Sequence, residues 1–315
     1  MSTAHAFHRC WILSGPTGSG KTAFALQLAE HANAEIIAMD SMTLYRGMDI
    51  GTAKPSTEER RRLPHHLLDV LDPWESASVA WWLEHAAERC RDIEARGKRA
   101  LFVGGTPLYL KALLFGLFSG PPANHDLRQR LEREAGEHGV PHLHRRLAEV
   151  DSAAATRLHP NDLRRIVRAL EVFEVTGKPI SQLQEQWRNE AQPGPEFRCW
   201  WLDRPRAELF ERINSRVEKM IEAGWVEEAR HLRALPRPLS RQARQALGYE
   251  ELFDYLDGKF DLKTMVELIQ AHSRQFAKRQ LTWFRHLPQC KPIAVSGDAL
   301  PDVQRCLVND DTTRQ

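Results

Sequence analysis

The sequence predicts an α/β fold, in which the strands of a parallel sheet alternate with helices and a helical insertion interrupts the sheet. Short apolar runs alternate with stretches of helical spacing over residues 10–119 and 196–295. Short buried strands separated by helices are typical of a parallel sheet covered on both faces. Residues 120–195 lack strand-like runs and are helical, charged and rich in histidine. We therefore expect a core of residues 1–119 and 196–315 with an insertion domain of residues 120–195.

The individual elements follow from local patterns. Strands are predicted at five apolar runs, which are Cys10–Leu13, Glu35–Met39, Ala100–Val103, Arg198–Leu202 and Pro292–Val295. Helices are predicted over Thr22–His31 and about Ala77–Arg96, and two more amphipathic helices are expected in the C-terminal third. The apolar faces of these two helices carry Phe210, Ile213, Val217 and Met220, and Met265, Ile269, Phe276 and Phe284. Hinges are predicted at both ends of the insertion, at Pro121-Pro122 and Pro193-Gly194-Pro195.

The charge of the chain is unevenly distributed, although its total is small. There are 44 basic and 42 acidic residues, which leaves a formal charge of +2. Five arginines and no acid lie between Arg230 and Tyr249, and four cations and no acid lie between Leu268 and His286. Such runs suggest a surface for a polyanion, although a solvated face would have the same composition.

The cysteine spacing and the hydropathy pattern indicate the cellular compartment of the protein. Five cysteines are scattered without a CxxC pair, at Cys10, Cys90, Cys199, Cys290 and Cys306. This spacing argues against a zinc site or a disulfide framework and fits a reducing cytoplasm. No apolar run approaches the ~20 residues needed to span a bilayer, and the N-terminus leaves no room for a signal peptide. We expect a soluble, cytoplasmic monomer with no membrane partner.

A phosphate-binding loop is the most specific motif. Residues 15–22 match the pattern GxxxxGK[ST] between a predicted strand and a predicted helix, which is the context that the motif requires. Backbone amides and the helix N-terminus bind a diphosphate, Lys21 neutralises an outer phosphate and Thr22 ligates Mg²⁺. The diphosphate-binding residues are therefore predicted to be Gly15, Thr17, Gly18, Ser19, Gly20, Lys21 and Thr22. The core is thus of the P-loop type, while the motif leaves open whether the diphosphate belongs to ATP.

Two polar residues follow neighbouring strands and are candidates for the chemistry. Asp40 comes after the Glu35–Met39 run, and Thr106 comes after the Ala100–Val103 run. The carboxyl ends of parallel strands face the ligand crevice. The second run ends without the acid that an ATP hydrolase places there, so Asp40 is the main carboxylate candidate beside the diphosphate. An aspartate that only caps a turn or a helix is the alternative.

Further segments extend the pattern over most of the chain in a specific order. They are Asp40–Ser41, Tyr45–Pro55, Pro64–Asp69, Gly104–Thr106, Leu108–Tyr109, His159–Asp162, Arg164–Glu171, Leu247–Tyr249 and Arg274–Gln280. Outside the phosphate loop each is weak alone, but their order and spacing together are highly specific. With these segments the chain resembles the tRNA dimethylallyltransferase (isopentenyltransferase) family.

The resemblance implies a reaction and roles for the site residues. The P-loop is expected to hold dimethylallyl diphosphate rather than ATP, although such loops are readily labelled ATP-binding. The N6 amine of the adenosine 3′-adjacent to the anticodon, position 37, attacks the allylic carbon, and diphosphate leaves. Asp40 looks like the group that orients the amine and accepts its proton, with Thr106 hydrogen-bonding nearby. Lys21, the loop amides, Mg²⁺ and Arg216 stabilise the leaving group; Arg212, one turn from Arg216, is the other candidate arginine.

The resemblance also implies contacts with the anticodon stem-loop of tRNA. The adenosine must be extruded from its stack before it reacts, while basic side chains grip the loop backbone. The implied contact residues are Asp40, Ser41, Met42, Thr43, Arg128, Arg164, Arg165, Arg168, Gln245, Gly248, Tyr249, Arg274, Lys278, Arg279 and Gln280. Glu250 stands where some relatives have a basic residue, so no contact is assigned to it.

Other readings of the same residues differ in testable ways. A small-molecule kinase would explain the P-loop but not the acid-free basic segments, and a tRNA-binding nucleotide switch would not need Asp40. An adenylate isopentenyltransferase would use the same chemistry on free nucleotides. His65-His66 and the histidines at positions 138, 142 and 144 suggest a metal, but a loop, core or solvated role is favoured. Trp81-Trp82 and Trp200-Trp201 are expected in the core rather than against bases.

Overall fold

The computed structural model describes residues 7–117, 120–188, 197–304 and 306–307. The chain forms two compact units: a core unit of Met1–Leu114 with Pro193–Gln315, and an insertion unit of Phe115–Gln192. The predicted hinge at Pro193-Gly194-Pro195 lies outside the described residues.

The core unit contains a six-stranded parallel sheet, which confirms the predicted α/β class. Its strands are β1 (Trp11–Ser14), β2 (Ala34–Ala38), β3 (His65–His66), β4 (Arg99–Val103), β5 (Arg198–Asp203) and β6 (Lys291–Ala294). They lie in the order β3-β2-β4-β1-β5-β6. β3 was missed because it has only two residues, which pair with Ile36 and Ile37 of β2. The order places β1 at the centre, with β4 between β1 and β2.

Helices surround this sheet. They are α1 (Lys21–His31), α2 (Thr57–Arg62), α3 (Val79–Ala95), α4 (Pro107–Phe115), α10 (Arg206–Glu222), α11 (Trp225–Arg233), α12 (Arg241–Arg244), α13 (Tyr249–Leu256) and α14 (Leu262–Arg285). The buried stripe of α14 runs through Met265, Ile269, Ser273, Ala277, Gln280, Leu281 and Phe284, so Phe276 lies beside it rather than within it. Within the described part of the chain, no helix is both long and apolar enough to cross a membrane.

The insertion unit is entirely helical in its described residues. Its helices are α5 (His125–His138), α6 (Val140–Val150), α7 (Ser152–Arg157), α8 (Leu163–Thr176) and α9 (Ile180–Arg188). Leu131, Leu143, Leu147 and Ile166 are fully buried and form its own apolar core. Side chains cap three of the helices: Asn124 caps α5, Asp151 caps α7 and Asp162 caps α8. The unit therefore has the packing of a small helical domain.

The cysteines differ from the sequence-based expectation. Cys199 in β5 and Cys290 just before β6 form a disulfide, with Cα atoms 4.6 Å apart. A second buried pair, Cys10 and Cys90, has sulfur atoms 3.4 Å apart. The cysteine spacing argued against a disulfide framework, and this single bond was not predicted, because spacing along the chain does not reveal which strands pair. Cys199 and Cys290 are 91 residues apart, and only the parallel pairing of β5 with β6 brings them together.

Candidate active site

The P-loop connects the central strand to helix α1. The backbone amide of Thr17, predicted to bind the diphosphate, instead donates to Oε1 of Gln280 at 2.9 Å, so the unoccupied donors lie at the start of α1. Gly15, Gly18 and Gly20 have φ angles of +145°, +79° and +98°, a region that strongly favours glycine. At Gly18 a Cβ atom would also lie 3.0 Å from the side chain of Ile213. The N-cap of α1 is Gly20, which offers no side-chain cap. The first N–H groups of the helix are therefore left for an external anion.

Two polar groups in the loop fit a diphosphate ligand. The Lys21 ammonium donates a hydrogen bond to the carbonyl of Pro16 at 2.8 Å. Burial and the neighbouring charge of Arg216 lower the pKa of Lys21 to about 7, against the opposing effect of Asp40. The hydroxyl of Ser19 is buried and has no partner among the described residues. A phosphate oxygen would give the Ser19 hydroxyl the partner that it lacks, because an unsatisfied buried hydroxyl is costly, and would offer Lys21 a charged acceptor in place of the Pro16 carbonyl.

Two arginines contact backbone carbonyls of the P-loop. Arg204 is buried and donates to the carbonyl of Gly297 at 2.7 Å and to Glu208 at 2.8 Å, with Ser19 O 3.5 Å from its Nε atom. Arg212 donates to the carbonyl of Gly18 at 3.2 Å and to Asp298. The Arg204 contacts could not be predicted from the sequence, because they join distant segments.

Arg212 and Arg216 lie one turn apart on α10 but have different surroundings. The guanidinium of Arg212 donates a hydrogen bond to the Gly18 carbonyl, whereas the charge of Arg216 acts on Lys21 and Asp40. Burial lowers the pKa of Arg216, and the nearby Asp40 carboxylate opposes this effect. Of the two candidates, Arg216 is therefore the arginine in the electrostatic environment of the loop lysine.

Asp40 follows β2 and both shapes a turn and faces the P-loop charges. Its Oδ1 atom accepts from the Met42 amide at 2.9 Å, and its carbonyl accepts from the Thr43 hydroxyl at 3.2 Å. Burial raises the pKa of Asp40, although the Met42 amide, Lys21 and Arg216 oppose this effect. Asp40 therefore does cap a turn, yet its charge is coupled to the cations of the phosphate site. These two descriptions were alternatives in the sequence and are compatible in the structure.

Gly104 allows the ends of β2 and β4 to approach closely. A Cβ atom on Gly104 would lie only 2.0 Å from the carbonyl oxygen of Met39. The Ser14 hydroxyl donates to the carbonyl of Gly104 at 2.8 Å, which ties β1 to the same point. The Ser41 amide donates to the Thr106 hydroxyl at 3.2 Å. Thr106 is thus placed next to the Asp40–Ser41 segment, as expected for residues at the carboxyl ends of parallel strands.

The other residues implied to contact tRNA differ in exposure within the core unit. Lys278, Arg279 and Gln245 are exposed, whereas Ser41, Met42 and Arg274 are half-buried and Thr43, Gly248, Tyr249 and Gln280 are buried. The Tyr249 hydroxyl donates to Glu228 at 2.6 Å, and Glu228 also accepts from the amides of Asp49, Ile50 and Gly51. A direct contact between the Tyr249 hydroxyl and RNA would require this bond to break.

The implied contacts of the insertion unit fall into two groups. Arg164 and Arg165 are exposed at the start of α8, where Arg165 lies 3.3 Å from Asp162. Arg128 binds the fully buried Glu171 through two hydrogen bonds of 2.8 Å, and Arg168 binds the same carboxylate at 2.5 Å. Burial opposes ionisation of Glu171, but these hydrogen bonds outweigh it and lower its pKa. Arg128 and Arg168 are therefore held in fixed positions.

The histidines and tryptophans have structural partners. His66 lies 2.7 Å from Glu35, and His144 contacts the carbonyls of Ala155 and Leu158. Across the described ranges, no group of three or more His, Cys, Asp or Glu side chains could hold a metal ion. Trp82, Trp200 and Trp201 are buried, and Trp82 stacks on Tyr109 with ring centres 4.2 Å apart.

Comparisons with known proteins agree on the family. A family model described as IPP transferase matches residues 43–287, and one described as isopentenyl transferase matches residues 8–69. A tRNA dimethylallyltransferase of Geobacter metallireducens is 50% identical over 88% of this chain and 89% of its own. A solved tRNA isopentenylpyrophosphate transferase of Bacillus halodurans is 37% identical over 97% of this chain and 96% of its own, with a TM-score of 0.69.

A solved eukaryotic dimethylallyltransferase acting on tRNA is 27% identical, with a TM-score of 0.80 over 97% of this chain and 80% of its own. These matches confirm the resemblance seen in the sequence. The chain belongs to the tRNA dimethylallyltransferase (IPP transferase) family.

Proposed function

We propose that this enzyme transfers a dimethylallyl group from dimethylallyl diphosphate to the N6 amine of the adenosine at position 37 of tRNA. The observation that carries the proposal is the placement of Asp40 at the carboxyl end of β2, where its charge acts on Lys21 of the P-loop and on Arg216 of α10. Such an arrangement suits a transfer in which an anion leaves while an amine loses a proton. Membership of the family supports the same reaction.

On the donor side, the diphosphate lies on the amides of the P-loop. Lys21 exchanges its hydrogen bond to Pro16 for a phosphate oxygen, and the Ser19 hydroxyl gains the partner that it lacks. Arg216 adds a second positive charge, while Arg204 and Arg212 hold the loop in shape. These groups stabilise the charge that develops on the diphosphate as the C–O bond breaks.

We also propose that the donor is bound with Mg²⁺. The hydroxyl of Thr22, at the exposed start of α1, would be the residue that holds the ion beside the diphosphate. The described residues provide no carboxylate cage, which fits the preference of Mg²⁺ for phosphate oxygens and water. When bound, the ion supplies positive charge against the leaving group.

On the acceptor side, Asp40 is the base. The adenine amine donates a hydrogen bond to the Asp40 carboxylate, the new N–C bond forms as the C–O bond breaks, and the amine proton passes to Asp40. Burial raises the pKa of Asp40, which favours this proton transfer. Thr106 positions the segment after Asp40 through its bond with the Ser41 amide and hydrogen-bonds near the reacting amine.

We propose that exposed cations bind the backbone of the anticodon stem-loop. Lys278 and Arg279 on α14 and Arg164 and Arg165 on α8 face solvent and can bind phosphates. The proposed state is a cytoplasmic monomer, which size measurement of the purified protein would test.

The direct test is incubation with ¹⁴C-labelled dimethylallyl diphosphate, Mg²⁺ and bulk tRNA, followed by nucleoside analysis. We expect label in N6-(dimethylallyl)adenosine from the anticodon loop, and none with AMP as the acceptor. Label in AMP would favour an adenylate isopentenyltransferase. No transfer to RNA, with γ-phosphate moving from ATP to a metabolite, would overturn the proposal in favour of a kinase.

A further inference from the structure

We infer that Gln280 is a positioning residue that holds the P-loop in register with the carboxyl end of β4, rather than a residue that touches tRNA. Gln280 lies on α14 and its side chain is 2% exposed. The inference deepens the proposed function, because it rests on the P-loop as the donor site.

The two bonds of the Gln280 amide join two separate segments of the site. Its Oε1 atom accepts from the backbone amide of Thr17 at 2.9 Å. Its Nε2 atom donates to the carbonyl of Gly105 at 2.6 Å. Thr17 lies in the P-loop, and Gly105 lies in the turn after β4. One side chain thus bridges the diphosphate loop and the segment that carries Thr106.

The chemistry of the bridge requires an amide. The Thr17 N–H can only donate a hydrogen bond, and the Gly105 carbonyl can only accept one. A side chain that satisfies both must offer an acceptor and a donor on one planar group. An ionised glutamate has no donor, and an apolar side chain of the same length has neither.

The local backbone is shaped around this side chain. A Cβ atom on Gly105 would lie 2.5 Å from Nε2 of Gln280, so only glycine permits the close approach. The bridge then continues from Gly105 to the next residue, Thr106, whose hydroxyl accepts from the Ser41 amide beside Asp40. The position of the donor loop is therefore tied to the position of the acceptor segment.

The same helix presents two different faces. Lys278 and Arg279, immediately before Gln280, are exposed, whereas Gln280 belongs to the buried stripe of α14. Both polar atoms of its side chain are already bonded inside the protein. The sequence motif groups Gln280 with two basic residues because the three are consecutive in the chain. On the helix they lie on different faces, and the Gln280 side chain points to the P-loop.

The test compares Gln280→Met with Gln275→Met on the same helix. Methionine has a similar length but neither donates nor accepts a strong hydrogen bond, and Gln275 is exposed. We expect Gln280→Met to raise the KM for dimethylallyl diphosphate by about tenfold, the typical effect of an unsatisfied buried group. The Kd for tRNA should stay within about twofold, because the exposed cations are unchanged. Gly105→Ala should give the same donor defect, since its methyl group would displace Nε2.

Each outcome either supports or overturns the assignment of Gln280 as a positioning residue. A weakened tRNA affinity with an unchanged donor KM would make Gln280 an RNA contact and overturn the inference. A lower Tm with unchanged donor KM and kcat would reduce it to a packing residue and overturn it too. If both variants fail to fold, hydrogen exchange of the wild-type Thr17 amide still decides: slow exchange supports the bridge, and exchange at the rate of an exposed loop contradicts it. Failure of the wild-type enzyme to prenylate tRNA would instead count against the proposed function.

Discussion

Asp40→Asn separates the base role of this residue from its role in the turn. Asparagine keeps the size of the side chain and an oxygen that can accept from the Met42 amide, now 2.9 Å from Oδ1. It loses the charge and the capacity to take a proton from the adenine amine. General-base catalysis contributes about 10²- to 10⁴-fold. We therefore expect the rate constant of prenyl transfer to fall by this factor, or by about 3–5 kcal/mol in activation free energy.

The same change has a second consequence through Lys21. The Asp40 charge raises the pKa of Lys21, which burial and Arg216 hold at about 7. Without that charge the pKa of Lys21 falls further, so less of it is protonated in the donor-free enzyme. The Kd for the donor should then rise more at about pH 8 than at about pH 6.5, which lies below the wild-type pKa of Lys21.

The assay is rapid-quench single turnover, with enzyme in excess over labelled tRNA and with saturating donor. Filter binding measures tRNA affinity, which should stay within a few fold. Glu84→Gln, on the exposed face of α3, is the matched control and should react at the wild-type rate. A wild-type transfer rate in Asp40→Asn would refute the assignment of the base.

Three further predictions concern other parts of the molecule. Donor binding should raise the pKa of Lys21 above its value of about 7 in the donor-free enzyme. The affinity for the donor should therefore be highest below about pH 7 and should fall as the pH rises above it. Phosphate groups have a second pKa of about 6 and are already ionised above pH 7. Calorimetry in several buffers at about pH 8 should therefore detect proton uptake when the donor binds, and Lys21→Met should abolish this uptake. Equal proton uptake by the wild-type enzyme and the variant would contradict the prediction. Glu171→Gln leaves Arg128 and Arg168 without their buried carboxylate and should cost about 3 kcal/mol in the unfolding free energy of the insertion unit. Glu174→Gln, in a half-exposed ion network, should cost less than about 1 kcal/mol, and equal losses would remove the special role of Glu171. Changing both Lys278 and Arg279 to glutamine should reduce the slope of log Kd against log salt by about 1–2, whereas an unchanged slope would mean that they face away from RNA.

Much of the fold could be predicted because its signals are local. The P-loop is a continuous motif, and Asp40 and Thr106 each follow an apolar run long enough to be seen as a strand. Once a parallel sheet is expected, these residues must lie at one edge. In contrast, the two residues of β3 carry no periodicity, and the Cys199–Cys290 pair depends on strand pairing across 91 residues.

The supporting residues of the site were harder to predict for the same reason. Arg204 contacts Ser19 across 185 positions, and Gln280 contacts Thr17 across 263. No local pattern distinguishes a buried arginine or glutamine with such a partner from an exposed one. The motif did place Gln280 among important residues, but only its burial and its two hydrogen bonds indicate what it touches.

The central claim is that the P-loop holds the donor's diphosphate opposite Asp40. A crystal structure with the unreactive thio analogue of dimethylallyl diphosphate, Mg²⁺ and an anticodon stem-loop tests it most directly. We predict the diphosphate on the P-loop at the N-terminus of α1, with Lys21 and Arg216 on its oxygens and the extruded adenine amine within hydrogen-bond distance of Asp40. A diphosphate bound elsewhere, or an adenine amine far from Asp40, would contradict the account.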